Sequence, residues 1–157
     1  MKKTLLFSAL AALIMAGCKP EPYEEIGPDY SLTEGMTGTW VLNAVTQTDQ
    51  TQPVPESVDI SDFFQDDPMI LTFDYTSRRY TVDDPGAGLS FFGDGGTFVF
   101  DDPDFPEQLF MNTDDGNTYQ MSLTQMVRPI DNRMGFIIEM SRCYEPNITY
   151  NMDFNRQ

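Results

Sequence analysis

The side chains that carry most enzymatic chemistry are scarce in this chain. It has no histidine and only two cysteines, Cys18 and Cys143, beside 25 acids and nine cations. Without imidazole the commonest general base is missing, and Ser-His-Asp and Cys-His arrangements are ruled out. Zinc sites built from histidine and cysteine are ruled out with them. No Gly-x4-Gly-Lys phosphate loop occurs. Carboxylates remain. So many acids offer pairs of the kind glycoside hydrolases use. Only Glu139 stands in an apolar setting, between Ile138 and Met140, and strand alternation turns it outward. Calcium is the other use for oxygen-rich segments. Asp101-Asp102-Pro103-Asp104 and Asp114-Asp115-Gly116-Asn117 lack the spaced acids and distant Glu of a calcium loop. Asp, Asn and Gly serve such turns for backbone reasons. The expectation is a protein with no catalytic residue, no cofactor and no bound metal.

Of the two thiols, Cys18 has the more informative setting. Met1-Lys2-Lys3 precede an apolar run from Leu5 to Met15, well short of the ~20 residues of a transmembrane helix. A basic start, a short apolar core and small residues before a cut mark a secretory signal. Met15-Ala16-Gly17-Cys18 resembles the lipobox of bacterial lipoproteins, with Met where Leu is usual. That resemblance implies cleavage before Cys18, acylation of Cys18 on sulfur and nitrogen, and a lipid-anchored protein of the outer membrane, on its periplasmic or its cell-surface face. Several acyl chains, at ~0.8 kcal/mol per buried methylene, give stable anchoring where one chain is marginal.

Cleavage removes Lys2 and Lys3, so nine cations become seven and the formal charge moves from −16 to −18. So acidic a chain is repelled by nucleic acid and attracts cationic partners. With Cys18 acylated, Cys143 has no disulfide partner, and its apolar strand setting fits a small buried core residue.

The chain divides into a signal peptide (1–17), a lipidated Cys with an acidic, proline-rich tether (18–35), and one domain (36–157). The tether carries Pro20, Glu21, Pro22, Glu24, Glu25 and Pro28, a composition that does not pack. In the domain, Thr37–Asp49 alternates as a strand, with Trp40, Leu42, Ala44 and Thr46 on one face. Gln50–Val58 reads as a loop. Asp59–Phe64 reads as one helical turn, capped by Asp59 or Ser61. Strands follow at Met69–Thr76, Arg79–Asp83, Thr97–Asp101, Glu107–Thr113, Asn117–Val127, Met134–Tyr144 and Ile148–Phe154. Asp115-Gly116 supplies the positive-φ positions of a tight hairpin. Asp84–Gly96 is a glycine-rich loop with Phe91 and Phe92 at its tip. About eight strands joined mostly by short turns predict an all-β antiparallel meander. Closed as an eight-stranded up-and-down barrel it has no exposed edges; a β-sandwich is the alternative.

Gly38-Thr39-Trp40, with the single tryptophan at the head of the first strand, resembles the Gly-x-Trp signature of the lipocalins. The longer pattern Gly38-Thr39-Trp40-Val41-Leu42, then Val45-Thr46, Phe63-Phe64 and Met69–Phe73, is similar to the lipocalin-like domain of bacterial lipoproteins. The resemblance runs from Gly35 to Phe154. It implies that Gly38 and Trp40 are structural, at the closed end of the barrel, where an arginine, Arg142 or Arg156, packs on the indole. The C-terminal helix of typical lipocalins is absent.

Two functions follow as expectations, neither catalytic. The first is a lipocalin-like binding module for a small apolar or amphipathic ligand, lined by Leu42, Phe73, Tyr119 and Phe136, with Phe91 and Phe92 rimming or plugging its mouth. The second is an acidic surface that captures a cationic protein, through Asp83, Asp84, Asp101, Asp102, Asp104, Asp114 and Asp115.

Overall fold

The computed structural model describes residues 31–84, 92–142 and 145–157, with the backbone alone for residue 142 and residues 145–147. Nine strands form one antiparallel sheet: β1 (Gly38–Asp49), β2 (Glu56–Asp59), β3 (Ile70–Asp74), β4 (Arg79–Asp83), β5 (Gly95–Phe100), β6 (Gln108–Thr113), β7 (Thr118–Leu123), β8 (Arg133–Arg142) and β9 (Glu145–Arg156). β1 pairs with β9 from Trp40↔Arg156 to Asp49↔Ile148. That closes β1 and β3–β9 into an eight-stranded barrel. Two 3₁₀ turns, Glu34–Met36 and Ser61–Phe64, complete the described elements.

β1 organises the closure because its second edge is shared. Gly38–Val41 pair with β3, and Thr46–Asp49 pair with β2. β2 therefore lies outside the ring, as a flap on the upper half of β1. Its first three residues fall in the stretch expected to be loop, and Asp59 in the expected helical turn. All four of its residues are exposed, so no inward apolar position marks it in the sequence; pairing with β1 alone makes it a strand.

Alternation along β1 also departs from expectation. Leu42 pairs with Phe154 and Ala44 with Asp153, so Asn43 is an extra residue, a β-bulge. The bulge flips the phase. Trp40, Leu42 and Val45 are buried, whereas Ala44 and Thr46 are only half-buried. Two boundaries move for tertiary reasons. β7 stops at Leu123, and Val127, expected in that strand, is buried in the loop beyond it. At the N-terminal side, Thr33 and Gly35, expected in the tether, are buried against the barrel. The Thr33 hydroxyl donates to Tyr75 Oη at 3.0 Å.

The interior is filled. Trp40, Phe73, Tyr80, Phe92, Phe98, Phe136 and Phe154 are fully buried together with Met36, Met69, Leu71, Leu109 and Met111. Phe73 meets Phe98 edge-on, centroids 5.2 Å apart at 90°, an arrangement the ring quadrupoles favour. The Tyr80 hydroxyl donates to Phe92 O at 2.9 Å, so the one buried phenol of this group is satisfied.

Candidate functional site

The end marked by Trp40 is a packed plug. Trp40 Nε1 donates to Met36 O at 2.8 Å. The Arg156 guanidinium carbon lies 4.6 Å from the centre of the indole, within cation–π range. Of the two arginines considered, Arg156 fills this place; Arg142 ends β8 at the opposite end, opposite Glu145. Arg156 Nη2 donates to Gly35 O, and Nη1 to Pro129 O at 3.4 Å. One side chain thus ties the last strand to the first 3₁₀ turn and to the β7–β8 loop. A Cβ at Gly35 would meet the Arg128 carbonyl carbon at 2.2 Å, so the close backbone approach at this end is made at Gly35. Gly38 has φ +139°, and a Cβ there would meet Arg156 Nε at 3.9 Å, an ordinary contact; its requirement is the backbone angle.

The residues expected to line a ligand pocket divide as follows. Leu42, Phe73, Phe92 and Phe136 do point into the barrel, but are 5%, 1%, 0% and 0% exposed. Phe73, Phe92 and Phe136 are core, packed among their neighbours; Leu42 is core too and also borders a small cleft at the β1 bulge. Phe92 plugs rather than rims. Tyr119 is half-buried, paired with Met111 across β6 and β7. Phe91 lies outside the described residues. Two of the clefts lined by described residues lie elsewhere, and a third reaches Leu42. One of about 540 Å3 runs past Leu32, Met126, Arg128 and Ile130. Another of about 410 Å3 runs beside Pro106, Glu107 and Ser122. The third, about 200 Å3, lies between the β1 bulge and the second 3₁₀ turn, at Leu42, Asn43, Val45, Ser61 and Phe64; of the residues expected to bind a ligand it takes in Leu42.

The acids expected to form one capturing surface are split between the barrel's two ends. Asp101 accepts the N–H groups of Glu107 and Gln108 at 3.1 and 3.0 Å, and Asp102 those of Asp104 and Phe105 at 2.8 and 3.1 Å. These carboxylates brace the β5–β6 turn. Asp114 pairs with Arg79 at 2.7 Å, and Asp115 accepts from the Thr113 hydroxyl, both at the β6–β7 turn. Asp83 is exposed and Asp84 half-buried, after β4. Backbone donation, Gln108 N–H foremost, holds the Asp101 carboxyl below the usual carboxylate range, and the Thr113 hydroxyl does the same for Asp115. Glu139 is exposed on the outer face of β8.

A different acidic surface was not singled out from the sequence. Asp49, Glu56, Asp59, Asp62, Asp66 and Asp67 line β2, the end of β1 and the second 3₁₀ turn, and residues 31–77 contain no Lys or Arg. Asp49 and Asp59 accept from Thr51 and Ser61, which holds both carboxyls below their usual range. Val58 and Phe63 stand exposed among these charges, at 53% and 81%. The absence of cations from this long stretch was the available signal. Compared with protein-family models and with curated proteins, the chain matches none.

Proposed function

We propose that this protein is an acylated lipoprotein, anchored through Cys18, whose lipocalin-like barrel is a rigid scaffold that captures a cationic protein on its acidic outer surface. The observation that carries this reading is the filled interior. A small apolar ligand held among Leu42, Phe73, Phe92 and Phe136 would first have to displace packed aromatic and methionine side chains. That forfeits roughly 1.5–3 kcal/mol for each side chain driven out. Binding on the outside carries no such cost. The barrel supplies rigidity, and the formal charge of −16 for the whole chain supplies long-range attraction.

Native mass spectrometry of the mature protein from its own cell extract tests this. The expected species is a complex with a basic protein that dissociates as salt rises, because the Debye length shrinks from about 10 Å at 0.1 M to about 3 Å at 1 M. A copurifying lipid with no protein, or a complex indifferent to salt, would sink the proposal. Anchoring is tested separately. Cys18→Ser should move the protein to the soluble fraction; retention on membranes would remove the acyl anchor from the reading.

A further inference from the structure

We propose that the free edge of β2 is the docking site, and that it takes an extended cationic segment of the partner as an added antiparallel strand. This rests on the capture reading above and specifies where and how capture happens.

β2 ends the strand order of the sheet. It pairs with β1 through Thr46↔Asp59, Gln47↔Val58, Thr48↔Ser57 and Asp49↔Glu56. Ile60 N–H donates to Val45 O at 2.9 Å, which fixes the phase. Backbone groups alternate in direction along an antiparallel strand. Val58 and Glu56 therefore face β1, while the N–H and C=O of Ser57 and Asp59 face away. No described residue pairs with them. An open row of this kind is a template for another strand.

Charge decides which strand. A second copy of β2 docked on the same outward groups would bring two Glu56 and two Asp59 carboxylates into one ribbon with no cation among them. Like charges so close repel, so the edge disfavours a second copy of itself. A strand with Lys or Arg opposite both acids is favoured instead. Glu56 and Asp59 lie three apart, on opposite faces of β2, so the fitting segment has two basic residues three apart. The residue opposite the exposed Val58 is apolar. A Lys-Val-Thr-Lys core satisfies all three requirements. No cation competes for these acids within residues 31–77.

The test uses the full acylated chain in detergent micelles, with a peptide carrying the Lys-Val-Thr-Lys core and a Glu-Val-Thr-Glu counterpart. The basic peptide should bind and slow amide exchange at Ser57 and Asp59. Exchange at Val58, already bonded to β1, should not change. Glu56→Lys should weaken binding about fivefold, as an opposed charge pair becomes a like pair. Ser57→Pro removes an outward donor and no β1 bond, and should weaken binding about tenfold. Glu107→Lys, an equal charge change at the β5–β6 turn, should alter affinity by less than about twofold at ordinary salt. If Glu107→Lys weakens binding as much as Glu56→Lys, attraction is diffuse: the edge site is wrong and the capture reading stands. If Glu56→Lys weakens binding and Ser57→Pro does not, although both fold as the parent does, strand addition is wrong. If the basic peptide does not bind at all, the edge site is wrong, and the salt-sensitive complex in native mass spectrometry still decides the capture reading.

Discussion

Arg156 is the second-to-last residue, yet it stacks on Trp40 and donates to Gly35 O and Pro129 O. Its planar fork makes contacts an ammonium cannot reproduce. Arg156→Lys should therefore lower the stability measured by urea unfolding by about 1–3 kcal/mol with an unchanged m-value. An unchanged midpoint would mean that the plug is not held this way. Hydrogen bonds hold the carboxyls of Asp49, Asp59, Asp74 and Asp101 below the ordinary 3.8. Groups with depressed folded values contribute stability that is present above the unfolded value and lost as pH falls through the folded one. Unfolding midpoints should hold above pH 4 and decline below it. Tyr80 acts at the other limit. Burial first, then repulsion from Asp114 and Asp115, pushes its phenol from 10.0 up to about 12. A raised folded value gives stability that is complete below pH 10 and drains between 10 and 12. Tyr80→Phe should flatten that alkaline decline; an equally steep one would assign it to other groups. Trp40 was expected to be structural through the resemblance of Gly38-Thr39-Trp40, at a strand head, to the lipocalin signature. Which arginine packs on it was not legible, since Arg142 and Arg156 both sit near the C-terminus and only closure of the barrel separates them.

At the scale of elements, β1 carries the main departure from simple alternation. One extra residue, Asn43, shifts the inward set from Ala44 to Val45 while Leu42 stays inward. Deleting Asn43 leaves Leu42, Ala44 and Val45 as a regular run opposite Phe154, Asp153 and Met152. The barrel should therefore survive the deletion with a loss of no more than about 1 kcal/mol, measured by chemical denaturation. A loss of several kcal/mol would show that the bulge is needed for the bend of β1. The other strands were readable because their inward positions alternate: Leu71 and Phe73 in β3, or Leu109 and Met111 in β6. β2 was not, because it has no inward apolar position to read. The β7–β8 loop was half-readable. Val127 looks like one more strand residue until its burial shows it capping the closed end.

For the molecule as a whole, the decisive fact is that the barrel is filled. Phe73 sits between Tyr80 and Phe98 with ring centroids 5.9 and 5.2 Å away. Phe73→Ala should cost about 3–5 kcal/mol, the price of lost burial plus a cavity, in equilibrium unfolding. A much smaller loss would indicate an interior loose enough to admit a ligand, and would return the apolar-ligand reading to the front. Charge is the second whole-molecule property. It is spread over turns at both ends and over the β2 side, so salt should weaken partner binding wherever on the surface it occurs; only the β2 variants locate it.

Patterning along the chain was enough to predict an all-β antiparallel meander of about eight strands, with a barrel preferred and a sandwich as the alternative, because period-two patterning and turn residues are local and each of those strands carries its own. The sequence by itself also determined the acidity and the lack of imidazole, which are matters of composition. Tertiary structure alone decided three things: that the inward aromatics fill the barrel instead of surrounding a space, that Arg156 is the residue on Trp40, and that four exposed residues become a strand with one edge open. Each depends on how distant segments meet. Alternation tells which side chains point inward, but how much room lies between them is set by barrel closure and by the volumes that meet across it.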